Sequence, residues 1–65
     1  MTVDEVRAAV VQIAKCADDY ERAHGKEDDL HEAVLQAIAD GAENAAELAR
    51  EALKTADIEF ARYCA

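Results

Sequence analysis

The chain has 65 residues, 52% of them apolar but only 5% aromatic, which allows one small domain with a modest, Ala-rich core. Fifteen acids against seven Lys and Arg give a formal charge of −8, a balance that repels nucleic acid and anionic lipid. There is no Pro and there are only two Gly, and no apolar run approaches the ~20 residues of a membrane span, so the composition predicts a water-soluble, all-α protein.

Val3, Val6, Val10, Ile13, Ala17 and Tyr20 recur at spacings of three, four, three, four and three, the seam of a helix packed along its whole length. Thr2 and Glu5 form a capping box at its start, and Asp4 and Glu5 sit where the helix macrodipole favours anions. The seam predicts a first helix over residues 3–24, closed by Gly25 in the left-handed conformation. The opening residues carry no basic signal-peptide region, which predicts a cytoplasmic protein.

Residues 26–29 then predict the first connection, with Asp28 or Asp29 capping a second helix and Glu32 as the box partner. Leu30, Val34, Ala37 and Ile38 face inward on that helix, Glu32 and Gln36 face out, and Asp40-Gly41 ends it. Asn44 and Glu47 repeat the capping signature. Beyond them Ala45, Ala49, Ala52, Leu53, Ala56, Phe60 and Tyr63 fall on one arc of a third helix, with Leu48 at its edge and Ile58 on the opposite side. Whether this helix is continuous or breaks near residues 53–55 stays open at this level. Three helices with two short connections predict an antiparallel three-helix bundle, a single domain over residues 1–65.

Little here points to catalysis. His24, His31 and Cys16 lack the spacings that present two metal ligands together; His24 is expected to close the first helix and His31 to border the core. Cys16 and Cys64 would differ in height by about 10 Å in such a bundle, too far for a disulfide, so both are expected as reduced thiols. Cys64 has no placed base. No Ser and no Gly-rich phosphate loop occur, and a bundle of this size leaves no room for a concave pocket. The expectation is a non-enzyme without metal or cofactor.

Residues 35–52, Leu-Gln-Ala-Ile-Ala-Asp-Gly-Ala-Glu-Asn-Ala-Ala-Glu-Leu-Ala-Arg-Glu-Ala, resemble the first two helices of a helix-turn-helix regulator, with residues 54–60 standing at the recognition-helix position. The resemblance implies DNA binding and a break in the third helix near residues 53–55. Ala52-Leu53-Lys54 lacks the Gly expected in the second turn, and Asp57 and Glu59 would face phosphates.

The strongest signal is acidic. Asp18, Asp19, Glu21, Glu27, Asp28, Asp29 and Glu32 place seven carboxylates in fifteen residues, opposed only by Arg22 and Lys26. Folding around the first connection is expected to gather them, with Asp40, Glu43 and Glu47 as a second patch near the other end. Concentrating like charge costs folding energy that a mixed surface would avoid. The spacing is comparable to that of strand phosphates, which advance ~3.4 Å along the axis, so these ten residues are the candidate contact for a Lys/Arg-lined groove. The plainer reading is a solvated face.

A small, acidic, cofactor-free helical chain of this kind resembles the phage-encoded anti-CRISPR proteins, by size, class and charge over the whole chain rather than by a motif. The resemblance implies a DNA-mimicking inhibitor that presents carboxylates to the PAM/DNA-recognition subunit of a type I CRISPR-Cas complex and excludes target DNA. Its partner would be a basic nucleic-acid-binding protein, with neither nucleic acid nor membrane bound directly, and a monomer is expected. The competing class is a small homo-oligomeric assembly or adaptor protein, in which Val11, Leu35 and Ile58, all off the main stripes, would be buried in a homodimer.

Overall fold

The computed structural model describes residues 1–62. Tyr63 and Cys64, expected on the third-helix arc and as a reduced thiol, lie outside the described residues. The protein is all-helical: α1 (Val3–Lys15), α2 (Tyr20–Ala39) and α3 (Ala45–Leu53), followed by a 3-10 turn at Lys54–Asp57.

The start of α1 is as the sequence predicts. The Glu5 amide donates to Thr2 Oγ1 at 3.1 Å and the Thr2 amide to Glu5 Oε1 at 2.9 Å, and these bonds from Thr2 hold the Glu5 carboxyl below its ordinary range. Its end is different. α1 stops at Lys15, well short of His24, and the Cys16 thiol donates to the Gln12 carbonyl at 3.3 Å. Residues 16–19 turn the chain, the Asp19 amide bonding the Cys16 carbonyl at 3.0 Å. The Asp19 carboxylate then accepts the Arg22 amide at 3.3 Å and caps α2. Asp18-Asp19 is the physical reason for the early break, because short acidic side chains bond nearby amides better in caps and turns than in a helix interior.

The expected connection at residues 26–29 is therefore the middle of α2. Gly25 lies inside the helix without positive φ, and Asp28 and Asp29 cap nothing. The helix crosses Gly25 because Ala23, Glu27, Leu30 and Val34 form a buried stripe at spacings of four, three and four. A Cβ placed on Gly25 would meet nothing within 4 Å. Gly25→Ala is accordingly expected to stabilise the fold by about 0.5–1 kcal/mol, a rise in Tm of roughly 2–8 °C in a domain of this size, measured by thermal denaturation. A helix-closing Gly25 would respond with the opposite sign.

Asp40-Gly41 does end α2 as expected. Gly41 sits at φ 93°, its amide bonds the Ile38 carbonyl and the Ala42 amide bonds the Ala37 carbonyl, both at 3.0 Å, the paired closure that a left-handed glycine permits. At the start of α3 the expected box is not formed: Asn44 makes no side-chain cap bond and reaches the Met1 carbonyl at 3.5 Å.

α3 breaks after Leu53, and the chain leaves the 3-10 turn in extended form at Ile58. Residues 54–60 are thus one short turn and non-helical chain, so the helix that groove reading needs is missing at the recognition position. The buried face of α3 is also rotated by ~60°, at ~100° per residue. Leu48, expected at the edge, is fully buried, while Leu53 is 66% exposed. With the helix ending at Leu53 instead of continuing through Phe60, Leu48 is its one large side chain on the side that α1 and α2 cover. Ile58, expected outside, is half-buried and packs with Phe60 against the core.

Val6, Ile13, Ala23, Leu30, Val34, Leu48 and Ala52 form that core, and each helix packs on the other two, an arrangement consistent with a bundle. Among the described residues no helix is long and apolar enough to cross a membrane.

Candidate partner-binding surface

The core stripe of α2 fixes what its other side presents. Glu21, Asp28, Asp29 and Glu32 are all exposed and fall on an arc of about 100° opposite Ala23, Leu30 and Val34, at ~100° per residue. No Lys or Arg shares that arc; Arg22 and Lys26 lie on its flank, and Lys26 lines the shallow groove between α1 and α2 with Glu5 and Asp29. Glu21 and Glu32 are ~17 Å apart along the axis, and Asp28 and Glu32 ~6 Å, at ~1.5 Å per residue. Asp28 has a basic neighbour in His24, whose Nε2 is 3.6 Å from the carboxylate. His24 sits one turn before Asp28 inside α2 and closes no helix.

Apart from Glu27, the other predicted residues lie outside α2, and Glu47 of α3 is near Arg7 of α1 rather than on this face. Asp18 and Asp19 precede the first turn of α2, Asp19 being occupied as its cap. Asp40 follows the last turn and accepts the Gln36 side-chain amide at 3.1 Å; Glu43 is exposed in the following connection and Glu47 in the first turn of α3. The acids do not gather around a junction of two helices, as expected. They run along one helix, because the helix does not end at Gly25.

Glu27 is the exception and a correction to the acidic set. It is only 6% exposed and points into the protein. Arg62 grips it with two bonds, Nε to Oε1 at 3.0 Å and Nη2 to Oε2 at 3.1 Å. The same guanidinium donates to the carbonyls of Thr55 at 2.8 Å and Ile58 at 3.1 Å and lies 3.8 Å over the centre of the Phe60 ring. His31 Nε2 and Thr55 Oγ1 are 3.0 Å apart beside this hub, so His31 does border the core. Burial pushes the Glu27 carboxyl up, but the bonds from Arg62 and Thr55, with the charges of Arg62 and His31, outweigh burial and hold it below its ordinary range. Glu27 is thus the anchor of a clasp that fastens residues 58–62 across α2. Its position on the Ala23-Glu27-Leu30-Val34 stripe was the available signal, because a carboxylate there requires a cationic partner. Nothing local identifies that partner as Arg62.

A second polar link joins α1 to α3. Glu51 accepts Lys54 Nζ at 2.9 Å and Arg7 Nε at 3.1 Å, and these bonds, Lys54 first, hold its carboxyl below the ordinary range. Among the described residues no group of three or more His, Cys, Asp or Glu side chains converges to hold a metal ion. Between α2 and α3 runs an open apolar groove bordered by His31, Val34, Leu35, Ile38, Ala49 and Leu53.

The arrangement can present a rigid line of negative charge on α2, with an apolar groove between α2 and α3. Compared with known proteins, the chain matches no family model, no curated protein and no solved structure.

Proposed function

We propose that the chain is a non-enzymatic, cytoplasmic binding protein that offers the outward face of α2 as a polyanion to a Lys/Arg-lined groove evolved for nucleic acid. The anti-CRISPR resemblance names the specific partner: the PAM/DNA-recognition subunit of a type I CRISPR-Cas complex, with target DNA excluded while the inhibitor is bound. The observation that carries this reading is the run of Glu21, Asp28, Asp29 and Glu32 on one exposed side of α2 without an intervening Lys or Arg. A helix of this length, ~30 Å for twenty residues, holds its charges in place before binding, so little ordering entropy is lost on association. The short connections at residues 16–19 and 40–44 favour reversal between successive helices, so the bundle carrying the face is antiparallel.

The contact set is therefore Asp18, Glu21, Asp28, Asp29 and Glu32, with Asp40, Glu43 and Glu47 as a separate patch. Glu27 is withdrawn to the clasp and Asp19 serves as a cap. Replacing Glu21, Asp28, Asp29 and Glu32 by Lys is expected to weaken binding to a purified type I surveillance complex by on the order of 100-fold. The parent's affinity should fall as salt rises. Lys matches Glu in helix propensity, so circular dichroism should not change. Surface plasmon resonance over a salt series measures this, and equal affinities for the two proteins would remove the proposal.

A further inference from the structure

Among the described residues Leu35 and Leu53 are the two most exposed large apolar side chains, at 67% and 66%, and both border the α2–α3 groove although eighteen positions separate them in sequence. Neither is needed by the core. The floor between them is Val34, Ile38 and Ala49, so the groove is apolar along its length and open to water.

Its two rims differ in sign. On the α2 side, Asp28 and Glu32 each lie one turn before groove residues, His31 and Leu35. On the α3 side the basic group is Arg50, one turn before Leu53; Lys54 is paired with Glu51 at 2.9 Å and adds no free charge to the rim. A basic helix from another protein would satisfy the acidic rim and be repelled by the other; an acidic helix would do the reverse. A second copy of this chain, related by a two-fold axis along the groove, sets each acidic rim over the other copy's basic rim and packs Leu35 of one copy on Leu53 of the other. We propose that this groove is closed by a second copy of the chain in an isologous dimer.

Size sets the strength of that contact. The chain exposes 4500 Å², and a standard stable interface takes ~800 Å² from each partner, nearly a fifth of this surface. A contact confined to one groove and its rims falls short of that share, so the dimer is expected to be weak and concentration-dependent. It leaves Glu21 and Asp29 exposed, once per copy, and this proposal needs no foreign partner for its test.

Sedimentation velocity from low micromolar to millimolar chain should show the average mass rising from one chain toward two. Leu35→Glu with Leu53→Glu should hold the protein at one chain at every concentration with an unchanged helical spectrum. Glu32→Arg alone and Arg50→Glu alone should each weaken the dimer by about tenfold, and the two together should restore it, because the swapped charges again meet opposite signs. A parent that stays monomeric throughout, a dimer that survives both Leu→Glu changes, or a double swap no better than the singles would overturn the proposal.

Discussion

Leu48→Ala should leave the protein largely unfolded at 37 °C, while Leu53→Ala should keep the parent's Tm within a few degrees. Leu48 is wholly buried where α3 meets α1 and α2, and it is among the largest fully buried side chains, with Ile13 and Val6. Replacing a buried Leu by Ala costs about 2–5 kcal/mol, the lost transfer energy plus the cavity left behind. A 65-residue chain sits near the low end of the ~5–15 kcal/mol that holds domains folded, so the change removes most of its stability. Leu53 loses only exposed surface, an effect of about 0.5 kcal/mol or less. Thermal denaturation at low micromolar concentration, where a weak dimer is dissociated, compares the two. The reverse order would mean that α3 is rolled to the face its Ala-rich arc suggests.

Glu27→Gln should produce the second large loss, with a characteristic dependence on pH. Gln cannot accept both Arg62 bonds as a carboxylate does, and hydrogen bonds to charged groups contribute about 1.5–3 kcal/mol each. The low end applies, because the Arg62 side chain remains 34% exposed. A fall in Tm of about 6–12 °C follows. The sign with pH is fixed by the direction of the shift. The folded Glu27 carboxyl lies below its ordinary value of 4.5, so its contribution is present above pH 4.5 and is lost as pH falls through the lower, folded value. Glu5 and Glu51 shift the same way but are common to both proteins and cancel in the comparison. The stability difference between parent and Glu27→Gln should therefore be constant from pH 7 to about 5 and shrink below 4.5. A difference that stays constant or grows in acid would mean that Arg62 does not hold Glu27 as an ion. The double change Glu27→Gln with Arg62→Gln should cost less than the sum of the singles, since both remove one clasp.

What the sequence made legible follows the range of each interaction. The Thr2–Glu5 box and the Asp40-Gly41 stop depend on bonds within five residues, side chain to amide in the first and backbone to backbone around a left-handed glycine in the second, and both are legible locally. Gly25 does not close a helix because its cost there, about 1 kcal/mol, is offset by the stripe from Ala23 to Val34, whose second member is charged and so hides the pattern. Asp18-Asp19, read only as charge, was the turn signal. The third helix failed for a similar reason: its end at Leu53 is set by tertiary contacts that draw Ile58 and Phe60 onto the core and Arg62 onto Glu27, thirty-five positions away, which no local pattern specifies.

For the acidic surface the consequence is specific. Six of the seven carboxylates from Asp18 to Glu32 remain solvent-facing, one caps a helix in doing so, and one is withdrawn to hold the C-terminal strap. The surface became longer and straighter than a cluster at a loop, because α2 continues for twenty residues beneath it. A charged helix face of this kind steers association through its arrangement, not through any single residue.

Competition for DNA is thus the most direct test. Fluorescently labelled target DNA bound to a purified type I surveillance complex should be displaced by the parent protein near one equivalent, and should stay bound when Glu21, Asp28, Asp29 and Glu32 are all Lys. DNA that remains bound with both proteins, or is released equally by both, would contradict the account.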